Sequence, residues 1–147
     1  MDVWSLLGYA GCACSLGLSA LGSSIGCGIA GAASHGVMAK VDEGHGKFIG
    51  MSAAPSSQTI YGIVLMFVLL GKVNTGAGLA IFAIGFFCGL GIMVSAIYQG
   101  KVAATGILAS SKKPEIFGKC FAAVGITESF ALFSMVFGLI VAGSISG

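Results

Sequence analysis

The chain has 147 residues, of which 56% are hydrophobic and only 8% charged, and its formal net charge is +2. A soluble domain carries about 25% charged residues, so this composition excludes an ordinary soluble protein and indicates one embedded in a membrane. The small positive charge does not indicate nucleic-acid binding, because the lysines lie at the ends of the apolar segments.

Four apolar segments are long enough to cross a bilayer, which requires about 20 mostly apolar residues in a helix. We expect helices over about residues 6–36, 48–70, 77–99 and 115–145. The predicted fold is therefore an all-α membrane protein with four transmembrane helices.

The first helix is rich in small residues spaced four apart. Three such rows are Gly11, Ser15, Ser19 and Ser23; Gly22, Gly26, Ala30 and Ser34; and Ser24, Gly28, Ala32 and Gly36. Small residues at this spacing let helix backbones approach closely in lipid. Rows on several faces predict a helix enclosed by others, including further copies of the chain.

The second helix follows a polar loop from Lys40 to Lys47 and contains a proline beside a polar cluster. Pro55 removes a backbone donor and loosens the carbonyls of the preceding turn. The polar side chains of Ser57, Gln58 and Tyr61 follow at once. Such a cluster indicates a polar site, although Ser and Gln can also simply hold two membrane helices together.

The third helix ends near Gln99, a single amide that means little alone, and the stretch after it can extend the helix beyond the bilayer. The fourth helix carries Glu128 within an apolar sequence. An ionisable residue inside a spanning helix is unfavourable by about 2.5–3.5 kcal/mol on insertion scales and usually marks an ion or proton pathway. A salt-bridged structural Glu is the alternative, but no lysine lies at comparable depth in an apolar segment.

The chain is an internal duplication. Ser57-Gln58 matches Thr127-Glu128 at an offset of 70, and His35-Gly36 matches Gln99-Gly100 at an offset of 64, which predicts a longer loop in the second copy. We expect two tandem hairpins, residues 1–72 and 73–147, in the same orientation. The first carries Gln58 where the second carries its carboxylate.

The lysines indicate the orientation. Six lysines lie in or beside the two hairpin loops, and the opposite side of the membrane has only Lys72. The six are Lys40, Lys47, Lys101, Lys112, Lys113 and Lys119. The positive-inside rule then predicts cytoplasmic hairpin loops and both termini on the outer side of a cell membrane. There is no Walker-type phosphate loop, so we expect no ATP hydrolysis by this polypeptide and no organic cofactor.

Along nearly its whole length the sequence resembles the proteolipid subunit (subunit K) of the rotary V-type and A-type ATPases. The specific parts are Tyr98-Gln99-Gly100-Lys101-Val102-Ala103-Ala104, Lys112-Lys113-Pro114-Glu115, Pro55-x-x-Gln58-x-x-Tyr61 and Glu128. The resemblance implies a non-catalytic rotor ring of identical double hairpins, with a stator membrane subunit beside it and central-stalk subunits at the cytoplasmic loops.

The resemblance also implies the transported ion and its ligands. Some members of the family transport sodium. The residues of this chain that stand at their sodium-binding positions are Glu128, Gln99, Ser57, Gln58 and, through its backbone carbonyl, Ala54. Tyr61 would support the carboxylate with a hydrogen bond. Ser57 stands where that pattern usually has Thr, so the hydroxyl oxygen is kept and a methyl group is lost.

Sodium fits this polar set better than protons, because a hard monovalent cation needs several neutral oxygens and at most one carboxylate. Proton translocation by the same rotor remains the close alternative. A small tetraspan secondary transporter is a more distant alternative, and a structural connector is a weaker one; neither explains the duplication.

Overall fold

The structure, a computed structural model, describes residues 2–145, and its long elements there are five α-helices. They are α1 (Val3–Met38), α2 (His45–Ala53), α3 (Ser57–Leu70), α4 (Gly78–Lys112) and α5 (Phe117–Gly143). Four stretches are long and apolar enough to cross a membrane, namely Val3–Met38, His45–Thr75, Gly78–Lys112 and Pro114–Gly143. The predicted four-span helical fold is confirmed.

The second span is broken where the sequence places its proline. A single 3₁₀ turn, Ala54–Ser56, joins α2 to α3 with Pro55 in its first residues. Proline has no N–H to donate, so the regular helical hydrogen-bond ladder cannot run through this position. The tighter 3₁₀ hydrogen bonding takes its place.

The third span continues to Lys112, well past the apolar stretch. At the N-terminus of α1, Asp2 caps the helix: its Oδ1 accepts a 2.7 Å hydrogen bond from the N–H of Ser5. Hydrogen bonding by Ser5 holds the pKa of Asp2 below its usual range.

Helices α1 and α4 touch backbone to backbone along their length. A Cβ added to Gly85 would overlap the carbonyl of Gly11, and one added to Gly100 would overlap the carbonyl and Cα of Gly26. In lipid such close approach replaces the hydrophobic effect as the force holding helices together. The small residues of α1 therefore fix the central pair of the bundle.

These contacts correct the predicted register of the duplication. Helices α1 and α4 end at Met38 and Lys112, which are 74 positions apart, and the touching glycines have the same spacing. The predicted match of His35 to Gln99 is therefore wrong. The loop between the helices of a hairpin is also shorter in the second copy, since Lys113 alone separates α4 from the next turn.

Two apolar clusters fill the bundle at different heights. One lies near the connection between the hairpins and comprises Cys12, Leu65, Leu69, Val73, Ile81, Ile84 and Ala142. The other lies near the hairpin loops and comprises Ala30, Val37, Phe48, Met51, Ala103, Ile107 and Val124. The side chains of Gln58 and Gln99, both fully buried, lie between the two clusters and form a polar layer there.

Candidate ion-binding site

Glu128 reaches from α5 towards α3 and accepts two short hydrogen bonds on one carboxylate oxygen. Its Oε1 accepts from the hydroxyl of Ser57 at 2.5 Å and from that of Tyr61 at 2.6 Å. Its Oε2 lies 3.3 Å from the Nε2 of Gln99 on α4. The carboxylate thus has polar partners on both neighbouring helices.

The two glutamines behind the carboxylate form a buried amide pair. The Nε2 of Gln58 donates to the Oε1 of Gln99 at 2.6 Å, and the Nε2 of Gln99 also donates to the carbonyl of Val124 at 3.1 Å. Both side chains are fully buried, and buried amides are unfavourable unless they are hydrogen-bonded. These bonds hold the two amide oxygens at the level of Glu128.

The hydroxyl of Ser57 contacts three oxygen atoms but has only one hydrogen to donate. Besides Glu128, its Oγ lies 3.0 Å from the carbonyl of Ala54 and 3.2 Å from the Oε1 of Gln58. When Glu128 is ionised, two of these oxygen–oxygen contacts therefore have no hydrogen between them. Oxygens that converge in excess of the available hydrogens are suited to binding a cation, as the carbonyl rings of ion channels are.

A backbone carbonyl of the 3₁₀ turn also belongs to this cluster. The Ala54 carbonyl accepts the N–H of Ser57, three residues further on, and lies beside that residue's hydroxyl. Irregular backbone at membrane depth occurs where it lines a polar cavity or an ion site. The sequence Ala54-Pro55-x-Ser57-Gln58 therefore delivers one carbonyl and two side-chain oxygens from a single turn.

Among residues 2–145 no lysine lies within ion-pair distance of Glu128. Within residues 2–145 the one ion pair joins Lys113 to Glu115 at 3.7 Å, with both side chains exposed. A salt bridge from a lysine of the same chain therefore does not hold Glu128 in the described residues. The negative charge of Glu128 has no positive side chain to neutralise it within the described part of the chain.

Access to the cluster is from the side. The two apolar clusters close the bundle above and below the polar layer, whereas Glu128 itself is only half-buried. The surface around it is apolar, with Ile60 exposed on α3 and Leu132, one turn after Glu128, exposed on α5. An ion would reach the carboxylate across the outer face of these two helices and not along the axis of the bundle.

The structure brings together all six residues singled out from the sequence, namely Ala54, Ser57, Gln58, Tyr61, Gln99 and Glu128. Sequence reasoning missed two contacts, the Val124 carbonyl and Ser95, whose hydroxyl donates to the carbonyl of Thr127 at 2.7 Å. Ser95 lies one helical turn before Gln99, and that spacing was the available signal.

Comparison with known proteins identifies the family. The profile of the ATP synthase C-subunit family matches residues 10–69 and again 82–141, one match in each hairpin. The chain is 33% identical over 135 residues to an A-type ATP synthase subunit K from Methanocaldococcus jannaschii, covering 92% of this chain and 61% of that protein. It therefore spans less than two thirds of the length of that relative.

A second relative is a V-type sodium ATPase subunit K from Enterococcus hirae. It is 30% identical over 124 residues, which cover 80% of this chain and 78% of that protein. The double match accounts for the two tandem hairpins, and both relatives are K subunits of rotary ATPases. The chain belongs to the ATP synthase C-subunit family, as a proteolipid subunit of the V-type and A-type ATPases.

Proposed function

We propose that the chain is a rotor subunit that carries Na⁺ across the membrane by reversible binding at Glu128, coupled to rotation of a ring of identical copies. The observation that carries the proposal is the oxygen cluster around Ser57, which has more oxygen contacts than hydrogens. The similarity to a sodium ATPase subunit K supports the choice of ion.

The proposed ligands match the needs of a hard monovalent cation. They are the carboxylate of Glu128, the hydroxyl of Ser57, the side-chain oxygens of Gln58 and Gln99, and the carbonyl of Ala54. One carboxylate balances one positive charge, and four neutral oxygens replace water around the ion. Tyr61 would hold the carboxylate in place by donating to its Oε1.

Neutralisation of Glu128 would couple binding to rotation. A bound ion cancels the carboxylate's charge, so that the half-buried site can pass through lipid, which strongly disfavours a bare charge. Opposite a stator membrane subunit with a positive group and an aqueous channel, the charged and empty form becomes favourable. Alternation between these states would drive ions one way as the ring turns.

The remaining assignments follow from the same proposal. The hairpins 1–72 and 73–147 would lie with their lysine-rich loops in the cytoplasm and both termini outside, in a cell membrane. Central-stalk subunits would bind those loops, and ATP hydrolysis would take place on other subunits of the complex.

Proton translocation by the same rotor is the second candidate. The Oε2 of Glu128 has one contact, at 3.3 Å to Gln99, and could carry a proton while Oε1 keeps its two hydroxyl donors. A proton would need only the carboxylate and one hydrogen-bond partner. The convergence of the Ser57, Gln58 and Ala54 oxygens beside the carboxylate is what favours sodium.

The test is ATP-driven sodium uptake into vesicles that contain the whole ATPase complex, with a protonophore present. We expect Glu128→Gln to abolish uptake while the ring keeps its wild-type mass in mild detergent. Glu115→Gln is the matched control, because that carboxylate is exposed near the same helix and only pairs with Lys113. Normal uptake by the Glu128 variant would refute the site. If the wild-type complex takes up no sodium, but acidifies the vesicles in a parallel measurement without the protonophore, protons are favoured.

A further inference from the structure

Ser95 makes a contact that the other hydroxyl residues of its helix do not make. Thr105, Ser110 and Ser111 each bond to a carbonyl of α4 itself, three or four residues back. That is the usual arrangement for Ser and Thr inside a helix. The hydroxyl of Ser95 instead crosses to α5 and donates to the carbonyl of Thr127 at 2.7 Å.

The acceptor of this bond belongs to the peptide unit that joins Thr127 to Glu128. The neighbouring bond from Gln99 ends on the carbonyl of Val124, three residues earlier and on the same face of α5. Helix α4 therefore donates hydrogen bonds to two carbonyls of α5 that are nearly one turn apart. Two such points fix both the rotation of α5 about its axis and its height relative to α4.

The direction in which Glu128 points depends on that rotation. The carboxylate meets Ser57 and Tyr61 on α3, so a turn of α5 would move it away from both hydroxyls. Of these two hydrogen bonds, the one from Gln99 uses an amide nitrogen that also lies 3.3 Å from the Glu128 carboxylate. The hydrogen bond from Ser95 involves no atom of the oxygen cluster.

The position of Ser95 excludes a direct role as an ion ligand. Its side chain is nearly buried, its hydroxyl donates to the Thr127 carbonyl and contacts none of the proposed ligands, and it lines a groove of about 890 Å³ between α4 and α5. That groove is lined mostly by apolar side chains such as Phe87, Val94 and Phe130.

We propose that Ser95 is a positioning residue for ion binding, which holds α5 so that Glu128 faces the Ser57 hydroxyl. The inference rests on the proposed function of the site. Hydrogen bonds between membrane helices make only a modest contribution to stability. Loss of this bond should therefore weaken ion binding about threefold, and at most about 20-fold, without dissociating the ring.

The test is modification of Glu128 by a carbodiimide, which attacks the protonated carboxyl, in the purified oligomer at increasing sodium. We expect Ser95→Ala to raise the half-protecting sodium concentration about threefold, and at most about 20-fold, and Ser95→Thr, which keeps the hydroxyl, to stay within about twofold of wild type. Ser110→Ala is the matched control, because its buried hydroxyl bonds only to its own helix. If Ser95→Ala fails to assemble, Ser95→Cys takes its place, with a thiol of similar size that is a weaker donor.

Unchanged sodium protection in an assembled Ser95→Ala ring would overturn the proposal. So would an equal loss in Ser95→Ala and Ser110→Ala, which would indicate general loosening of α4. If wild-type labelling ignores sodium, the proposed sodium transport fails instead, and Ser95 is judged by the pH midpoint of labelling. A shifted midpoint in Ser95→Ala alone would support positioning of the carboxyl, and an unshifted one would refute it.

Discussion

Replacement of Ser57 by alanine tests the ion ligands most sharply, because this one hydroxyl touches three of the other proposed ligands. The Oγ of Ser57 lies 2.5 Å from Glu128, 3.0 Å from the Ala54 carbonyl and 3.2 Å from the Gln58 side-chain oxygen. Alanine lacks that oxygen but can adopt the same backbone conformation as Ser57. The other proposed ligands would remain in place.

The expected magnitude follows from the energy of a polar contact to a charged group. Such a contact contributes about 1.5–3 kcal/mol. Since about 1.4 kcal/mol corresponds to a tenfold change in affinity, Ser57→Ala should weaken sodium binding roughly ten- to 150-fold. Ser57→Thr keeps the hydroxyl and adds a methyl that restricts its rotamer, so its sodium affinity should equal or exceed that of wild type.

The assay is the sodium concentration that half-activates ATP hydrolysis by the complex, at constant ionic strength and pH. Ser56→Ala is the matched control, because the neighbouring hydroxyl is exposed and bonds only to the Ala53 carbonyl at 2.7 Å. A half-activating concentration in Ser57→Ala that stays within twofold of both wild type and Ser56→Ala would refute the proposed ligand set.

Three further predictions follow from contacts around the site and the helix pair. Tyr61→Phe removes one 2.6 Å hydrogen bond to the carboxylate but no proposed ligand, so its sodium affinity should fall less than that of Ser57→Ala in the same assay. Pro55→Ala restores a backbone N–H and should make the helix regular at this point. Because the Ala54 carbonyl would then turn away from the proposed ion site, the half-activating sodium concentration should rise. Gly100→Ala places a Cβ against the Gly26 backbone and should destabilise the protein by about 1–3 kcal/mol, measured by thermal unfolding in detergent.

These predictions have clear contradicting outcomes. A larger loss in Tyr61→Phe than in Ser57→Ala would make the tyrosine the more important contact. Unchanged sodium affinity in Pro55→Ala would remove the Ala54 carbonyl from the ligand set. Gly118→Ala is the control for Gly100→Ala, because a Cβ there meets nothing within 4 Å; equal stability of these two variants would refute the close approach of α1 and α4.

The fold was predictable because lipid leaves a chain few options. Backbone groups cannot find water in the bilayer, so long apolar segments must be helical, and hydropathy alone located the four spans. Ser57, Gln58, Tyr61 and Glu128 were predictable because polar atoms are unfavourable at that depth and therefore stand out, whereas Gln99 and the Ala54 carbonyl entered the predicted site only through the resemblance to the rotary ATPase proteolipids. Glu128 and Gln58 are the clearest cases.

The register between the helices was not predictable in the same way. Helix α1 has small residues at many positions four apart, so a short match such as His35-Gly36 with Gln99-Gly100 fits by chance at a wrong offset. The ends of α1 and α4, at Met38 and Lys112, and the two family matches, which start at residues 10 and 82, disagree with that offset. The role of Ser95 was hidden for a similar reason, because a single hydroxyl in an apolar run does not reveal which neighbouring helix it faces.

The central claim is that sodium and protons compete for Glu128, and carbodiimide labelling of the purified wild-type oligomer tests it most directly. Sodium would be varied against potassium at fixed ionic strength, over a series of pH values. We expect sodium but not potassium to protect Glu128, and the protection to weaken as the pH falls. Labelling that depends on pH but is the same in sodium and potassium would contradict it.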